Sequence, residues 1–142
     1  MGYEFPRVTV GEVMHRGLIA AAPQTSLLDV AESMAQNRVH CVVVEGLARD
    51  GAEQERLVWG IVSDLDLMKA LAGGRGEASA GELAATEIVT VDPAEGIDQV
   101  ARLMAEHESS HLVVVEGGRP VGVVSSLDIA QGITVSRHIE VS

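Results

Sequence analysis

The sequence predicts an α/β (α+β) fold built from two βαββα repeats that pack with pseudo-twofold symmetry. The chain repeats itself internally, its apolar residues follow helix and strand periods, and its 142 residues suit one domain or two half-domains sharing a core. We predict a first repeat at 8–72, a second at 78–133 and a C-terminal tail at 134–142. Two strands and two helices bury too little apolar surface alone, so the copies are expected to pack together.

The internal repeat appears in separate blocks along the chain. Gly11-Glu12-Val13 recurs as Gly81-Glu82-Leu83 near the start of each copy. We align His40 with His111, which requires one residue gained before the Val-rich strand of the second copy. Each copy closes on the same pattern, and the closing blocks are Gly60-Ile61-Val62-Ser63-Asp64-Leu65-Asp66 and Gly122-Val123-Val124-Ser125-Ser126-Leu127-Asp128.

Each copy is expected to contain an amphipathic helix, two buried strands and a short helix. Ser26 and Asp29 have the spacing of a capping box, and residues on one apolar helical face follow them. That face carries Leu27, Val30, Ala31, Met34 and Ala35 in the first copy, and Ile97, Val100, Ala101, Met104 and Ala105 in the second. Val-rich runs predict strands at Cys41–Val44, Leu57–Val62, Leu112–Val115 and Pro120–Val124, with short helices at Leu65–Leu71 and Leu127–Ile133.

The remaining segments connect or extend these elements. A short apolar stretch precedes the helix of each copy, at Leu18–Ala20 and Ile88–Thr90. The polar segment 46–55 is expected to be a loop, and the Gly-rich segment 72–77 a linker. For the tail, an added strand, an interface arm and disorder all stay open.

Composition limits the classes of function. The chain is 46% hydrophobic but 2% aromatic, so its core must come from aliphatic residues and methionine. Its formal net charge of −11 repels nucleic-acid phosphates and anionic membranes, which we therefore exclude as partners. A single cysteine, Cys41, and the lack of a signal core or a long apolar run predict a cytoplasmic protein.

The pattern Gly-hydrophobic-hydrophobic-Ser-x-x-Asp occurs twice and is the feature best suited to ligand chemistry. A strand that runs into a helix presents free N–H groups and a positive dipole end, which favour an anion such as phosphate. Ser63 and Ser125 add hydroxyl donors, and Asp66 and Asp128 have carboxylates that accept hydrogen bonds from two ribose hydroxyls. The same spacing also starts a helix with no ligand, which is the commoner role of the motif taken alone.

The tandem units resemble a pair of CBS domains, the Bateman module, over roughly residues 8–133. In each copy the resemblance rests on an apolar segment before a proline, a helix, a His-x-Val-Val-Val strand and the Ser-x-x-Asp close. It implies two clefts between the repeats that bind AMP, ADP, ATP or S-adenosyl compounds. Serine would contact phosphate, aspartate would hold ribose, and the rest would line the adenine; the implied residues are Ile19, Ala20, His40, Ser63, Asp66, Val89, Thr90, His111, Ser125 and Asp128.

The chain departs from many nucleotide-binding relatives near the expected phosphate. Places that hold a basic residue in those relatives hold Asp64, Ser126, Val39 and Ser110 here, and Val42 and Val113 replace the usual proline. With a net charge of −11 and few local cations, AMP or ADP is favoured over ATP. The second junction, with Ser126, is expected to suit the ligand better, and Arg16, Arg38 and Arg119 are the candidate phosphate partners.

Other residues suggest other chemistry. His107 and His111 have the i, i+4 spacing of a metal pair, but the helix is expected to end near His107, so the pair straddles a loop and no metal site is predicted. Cys41 lies in an apolar strand and is interpreted as a buried hydrophobe rather than a nucleophile. No nucleophile elbow, phosphate loop or dinucleotide fingerprint occurs, so we predict no enzyme.

The sequence therefore predicts a stand-alone regulatory protein that binds an adenosine-containing ligand, requires no cofactor and signals to an unidentified effector protein. The resemblance also implies a homodimer, to which Val13, Leu67 and Ile129 would contribute from exposed helix faces. Two alternatives stay open, namely a ligand-free module for protein interaction or dimerisation, and a zinc-responsive protein that uses His107 and His111.

Overall fold

Two compact units make up the computed structural model, which describes residues 7–47, 58–86 and 88–141. We call Ile19–Ile88 the first-repeat unit, and Met1–Leu18 together with Val89–Ser142 the second-repeat unit. Each unit combines helices with one β-sheet, which confirms the predicted α/β (α+β) class.

The elements follow the same order in both copies of the sequence. The helices are α1 (Val10–Val13), α2 (Leu27–Asn37), α3 (Asp64–Ala72), α4 (Ala80–Leu83), α5 (Ile97–His107) and α6 (Ser126–Val141). The strands are β1 (His15–Arg16), β2 (Ala20–Ala21), β3 (Cys41–Leu47), β4 (Val58–Ser63), β5 (Thr90–Val91), β6 (His111–Glu116) and β7 (Arg119–Ser125).

The Val-rich strand lies inside the sheet of each unit. In the first-repeat unit the strand order is β2-β3-β4, with β2 parallel and β4 antiparallel to β3. In the second-repeat unit the order is β1-β7-β6-β5, with β5 parallel and β7 antiparallel to β6, and β1 antiparallel to β7. The apolar segment and the strand that ends in serine therefore flank the same strand in both sheets.

Aliphatic side chains form the core of each unit, because successive residues of a strand point to opposite faces and one face packs against helices. The first-repeat core consists of Leu27, Val30, Met34, Val42, Val44, Val62, Leu67, Ala70, Ala80 and Ala84. The second-repeat core consists of Val10, Val91, Ile97, Val100, Met104, Leu112, Val114, Val124 and Ile129. Ala35 and Ala105, expected on the same helical faces, are exposed because they lie at the edge of the buried stripe.

The ends of the long helices agree with their sequences. The Ser26 hydroxyl accepts the backbone N–H of Asp29 at 3.1 Å, as the spacing predicted. Helices α2 and α5 both end before a residue in the left-handed region, Arg38 at φ 52° and Glu108 at φ 50°. The helix and its exit are therefore of equal length in the two copies.

The short helices α1 and α4 are exchanged between the two copies. Helix α1 lies at the start of the first copy in sequence but belongs to the second-repeat unit, whereas α4 lies at the start of the second copy but belongs to the first-repeat unit. The Gly11 N–H donates to the Pro93 carbonyl at 2.8 Å, and the Gly81 N–H donates to the Pro23 carbonyl at 2.7 Å. The recurring Gly-Glu-Val/Leu block is thus a docking helix whose first residue, Val10 or Ala80, is fully buried.

The structure extends several predicted elements. Helix α6 continues through Val141, so the tail is helical to that residue, a conformation that the sequence pattern did not indicate. No proline interrupts 126–141, and Thr134 Oγ1 donates to the Ala130 carbonyl at 2.9 Å. Part of the predicted loop 46–55 and the predicted strand start at Leu57 lie outside the described residues. Within the described ranges, no helix is long and apolar enough to cross a membrane.

The expectation that Leu67, Ile129 and Val13 lie on exposed helix faces is wrong. Leu67 and Ile129 are buried in the two cores, and Val13 packs against the second-repeat core. The start of each helix decides this rotation: the Asp66 carboxylate turns back to the Ser63 N–H at the end of β4, and the next residue, Leu67, then faces inward. The large apolar residues that remain exposed are Leu28, Leu65, Met68, Leu71 and Leu127.

We expect Gly122→Ala to destabilise the second-repeat unit by about 1–3 kcal/mol, the usual cost of overpacking. A Cβ at Gly122 would collide with the His15 carbonyl oxygen and with Met14 Cε, so β1 would have to move away from β7. The control is Gly76→Ala, where a Cβ meets nothing within 4 Å. Urea unfolding measures both variants, and equal stability of the two would contradict the close approach of β1.

Candidate functional site

The Ser-x-x-Asp motif of the first-repeat unit forms the junction between β4 and α3. The Ser63 hydroxyl accepts the Asp66 N–H at 3.1 Å, and Asp66 Oδ2 accepts the Ser63 N–H at 2.8 Å. The two residues thus form a reciprocal capping box, and both are half-buried. The motif has a structural role here whether or not a ligand binds.

The second-repeat unit has the same arrangement between β7 and α6. The Ser125 hydroxyl accepts the Asp128 N–H at 3.1 Å, and Asp128 Oδ2 accepts the Ser125 N–H at 2.8 Å. In both units the reciprocal bonds occupy Oδ2 of the aspartate, so Oδ1 is the oxygen that other groups can reach.

The two aspartates differ in what contacts Oδ1. Asp128 is 3% exposed, and its Oδ1 lies 2.9 Å from Nε2 of His15, a residue of β1 that is 78% exposed. No group in the described part of the chain lies within hydrogen-bonding distance of Asp66 Oδ1. The role of His15 was missed from the sequence, because its contact depends on β1 pairing with β7 across more than 100 residues.

The backbone N–H groups at the start of α3 all have acceptors within the chain. Besides those of Ser63 and Asp66, the Asp64 N–H donates to the His40 carbonyl at 2.9 Å. The Leu65 N–H donates to Asp64 Oδ1 at 2.8 Å. The Asp64 carboxylate therefore caps the helix itself, at the place where the motif predicted free donors for phosphate.

The start of α6 is less completely capped. The Ser126 N–H donates to the Ser110 carbonyl at 2.8 Å. The N–H groups of Ser125 and Asp128 are the donors of the two reciprocal bonds. The Leu127 N–H has no acceptor among the described residues. Serine at position 126 is too short to reproduce the cap that Asp64 supplies in the other unit.

The alignment of His40 with His111 is wrong. Ala20 pairs with Val43 and Thr90 with Val113, so the two Val-rich strands correspond without any gained residue. His111 is the first residue of β6 and takes the place of Cys41 in β3. The similar His-x-Val pattern misled the alignment, whereas the equal length of α2 and α5 shows that no residue is inserted.

The two histidines consequently have different surroundings. His40 precedes β3, and its Nδ1 lies 2.9 Å from Asp64 Oδ2, with both side chains more than half exposed. His111 stands opposite Ser125 in the sheet, and its Nδ1 lies 3.0 Å from Ser110 Oγ. One histidine thus faces a carboxylate and the other a hydroxyl.

Each apolar segment expected to line the adenine pairs with the Val-rich strand of one sheet. The Ile19 carbonyl accepts the Val43 N–H at 2.9 Å, and Ala20 pairs with Val43 in β3. Thr90 pairs with Val113 in β6, next to Val89. The predicted residues therefore divide between the two units, each set lying in the strands of one sheet or next to them in the chain: Ile19, Ala20, His40, Ser63 and Asp66 in the first-repeat unit, and Val89, Thr90, His111, Ser125 and Asp128 in the second-repeat unit.

The cations suggested for phosphate are dispersed. Arg119 begins β7 while Ser125 ends it, so Arg119 stands at the opposite end of the strand. Arg38 follows the end of α2, and Arg16 follows His15 in β1. His107 ends α5 and His111 begins β6, so this pair spans a turn as expected. Among the described residues no three His, Cys, Asp or Glu side chains form a group suited to a metal ion.

Cys41 is buried, which agrees with its interpretation as a small hydrophobe. Burial, and then the charge of Asp64, raise the pKa of the thiol from 9.0 to about 11. The thiol therefore stays protonated near neutral pH and is a poor nucleophile.

Comparison with known proteins identifies relatives over most of the chain. The CBS domain family model matches residues 10–73 and 80–134. Hypoxic response protein 1 of Mycobacterium tuberculosis is 29% identical over 87% of this chain and 83% of its own length. The CBS domain-containing protein YhcV of Bacillus subtilis is 25% identical over 86% of this chain and 83% of its own.

Three solved structures share the fold. The CBS domain pair of protein MJ0100, in complex with 5′-methylthioadenosine and S-adenosyl-L-methionine, has a TM-score of 0.73 and 26% identity, covering 89% of this chain and 95% of that one. Hypoxic Response Protein I with two coordinated zinc ions has a TM-score of 0.66 and 28% identity, covering 87% and 98%. A hexameric CBS-CP12 protein from bloom-forming cyanobacteria has a TM-score of 0.72 and 25% identity, covering 87% and 69%.

We expect the Cys41 thiol of the folded protein to react with iodoacetamide at pH 8 about 100-fold more slowly than that of the urea-unfolded protein, because its thiolate is scarce. The raised pKa also makes stability depend on pH. This contribution is fully present below about pH 9 and is lost as the pH rises toward 11. The free energy of unfolding should fall less over this range in Cys41→Ala; fast labelling of the folded protein would contradict the burial.

Proposed function

The chain belongs to the CBS domain family, and on that basis we propose that it is a stand-alone regulatory protein that binds an adenosine-containing ligand. The observation that carries the proposal is the placement, in each unit, of a Ser-x-x-Asp carboxylate and an apolar segment on either side of one strand. A carboxylate accepts hydrogen bonds from a ribose diol, and an apolar strand suits the face of a base. Regulation rather than catalysis, and a cytoplasmic location, are parts of the same proposal.

Similarity to the MJ0100 domain pair supports the ligand class. The structure of that protein contains 5′-methylthioadenosine and S-adenosyl-L-methionine, and the similarity covers 89% of this chain. In this chain we assign ribose recognition to Asp66 and Asp128, with Ser63 and Ser125 beside them. The net charge of −11 disfavours ligands with several phosphates, and ATP most strongly.

Zinc is a second candidate ligand, and it is favoured by one observation. Hypoxic Response Protein I, which is 28% identical to this chain, was solved with two coordinated zinc ions. His107 and His111 on either side of the α5–β6 turn remain the residues to examine. Zinc is therefore one arm of the ligand test.

We expect one adenosine-containing ligand at saturating concentration to raise the melting temperature by several degrees, because a ligand that binds only the folded state stabilises it by mass action. The scan compares AMP, ADP, ATP, S-adenosyl-L-methionine, 5′-methylthioadenosine and Zn²⁺. Asp66→Ala and Asp128→Ala, scored against their own ligand-free melting temperatures, report which junction is used.

No shift with any nucleoside compound at millimolar concentration would overturn the ligand proposal. A ligand-free interaction module would then be the better account. A shift with Zn²⁺ alone that disappears in His107→Ala or His111→Ala would establish the zinc-responsive alternative.

We also propose that the protein forms a homodimer through the exposed side of α3. Leu65, Met68 and Leu71 lie along that helix and are 57%, 54% and 51% exposed. Apolar patches of this kind on a soluble protein mark interaction surfaces. The hexameric CBS-CP12 protein is an assembled relative, and the second exposed leucine at a helix start, Leu127, occupies the matching place on α6. The effector protein that receives the signal is not identified by these surfaces.

Replacing Leu65 and Met68 together by lysine is expected to halve the mass measured by light scattering during gel filtration, because two buried charges would be unpaired in the interface. Leu28→Lys, at a leucine that is 73% exposed on α2, is the matched control and should leave the mass unchanged. A wild-type protein that is monomeric at 100 μM would contradict the proposal.

A further inference from the structure

We propose that the junction of the first-repeat unit, at Ser63 and Asp66, is the primary ligand site and that it selects an adenosine without a phosphate group. The inference rests on the proposed function, because it takes the aspartate of the motif as the acceptor of the ribose hydroxyls. It names which junction binds first and which chemical class binds there. Charge alone favoured the other junction, where Ser126 replaces Asp64.

The ribose acceptor is accessible in one junction and engaged in the other. Asp66 Oδ1 has no partner among the described residues, whereas Asp128 Oδ1 lies 2.9 Å from His15 Nε2. A ligand at Asp128 must displace an imidazole that contacts an almost completely buried carboxylate. A ligand at Asp66 Oδ1 displaces no side chain of the described residues, so the first equivalent should bind there.

The difference has a simple origin in the chain. His15 pairs with Val123, two residues before Ser125. In the first-repeat unit the matching position is taken by Ala85, which pairs with Ile61, two residues before Ser63. The N–H groups and carbonyls of Ala85 and Ile61 exchange hydrogen bonds of 2.9 Å. His15 and Ala85 therefore take matching pairing positions in the two units, and the side chain that would reach the aspartate is absent at Ala85.

The same junction is unsuited to a phosphate. The Asp64 N–H donates to the His40 carbonyl, and the Leu65 N–H donates to the Asp64 carboxylate. The N–H groups of Ser63 and Asp66 are the donors of the capping box. A phosphate beside this helix would find no free amide, and it would lie near the negative charge of Asp64. His40, the neighbouring imidazole, is itself 2.9 Å from Asp64.

These features together define the ligand. It needs a ribose diol for Asp66 and an apolar base for Ile19 and Ala20, and it must lack a phosphate at the 5′ position. A neutral nucleoside, its thioether or a cationic sulfonium satisfies this description. Adenosine and AMP form the matched pair of probes, because they differ only by the phosphate.

Titration calorimetry of the full-length protein tests the selection. We expect adenosine to bind the wild type at least about fivefold more tightly than AMP, given one nearby exposed like charge. Asp64→Ser, which installs the residue found at position 126, should reduce that preference. Asp66→Asn should weaken adenosine binding more than tenfold, although its remaining amide oxygen can still accept the Ser63 N–H. The control Asp29→Asn removes an exposed carboxylate at the start of α2 and should change neither affinity.

A reciprocal exchange tests the order of the two junctions. His15→Ala should strengthen binding of a second equivalent of adenosine by about fivefold, the effect of removing one largely exposed contact. Adding Asp128→Asn to His15→Ala should abolish that second equivalent. Ala85→His should weaken the first equivalent by a similar factor, whereas Ala85→Leu, which fills space without a donor, should weaken it less.

The outcomes separate this inference from the function on which it rests. AMP binding as tight as adenosine binding, or adenosine binding that survives Asp66→Asn, would overturn the inference while leaving an adenosine-binding protein. Failure of adenosine, 5′-methylthioadenosine, AMP and S-adenosyl-L-methionine to bind the wild type would overturn the proposed function, and the inference with it.

Discussion

In each unit a serine and an aspartate exchange two hydrogen bonds at the point where a strand becomes a helix. These bonds join N–H and side-chain groups within one turn, at 2.8 and 3.1 Å in both units. They fix where the helix starts and which of its faces turns inward, so Leu67 and Ile129 enter the cores. They also bond Oδ2 of each aspartate to a backbone N–H. Only Oδ1 is then left for other contacts, and the two units differ in what contacts it.

Two substitutions account for that difference. Where one unit has Asp64 the other has Ser126, and where one has His15 the other has Ala85. The first substitution decides whether a side-chain carboxylate caps the N–H at the start of the helix. The second decides whether a histidine contacts the aspartate of the motif. A duplicated scaffold can thus acquire two unlike junctions through single side chains at matching positions. Internal symmetry of the fold does not imply equal binding at the two places.

The sequence predicted the long helices and the Val-rich strands because apolar periodicity and the spacing of Ser26 and Asp29 are local signals. It did not predict the short helices α1 and α4 or the strand β1. It also placed Ser63 at the end of a strand and Asp66 in the short helix that follows, since duplication made each pattern visible twice. The contact of His15 with Asp128 escaped prediction because it depends on a pairing between distant segments. The histidine alignment failed for a different reason: a short Val-rich strand shifted by one residue still matches in sequence, although such a shift reverses the faces of a strand.

The exchange of α1 and α4 between the two copies affects how the protein can be divided. A cut in the linker 72–77 would produce two contiguous halves, each holding one copy of the repeat. Each half would lack the short helix that completes its core and would keep one that belongs to the other unit. The sequence repeat therefore does not coincide with a compact unit of the structure. The contiguous segment that matches a compact unit is Ile19–Ile88, and a circularly permuted chain is the form in which the second-repeat unit becomes continuous.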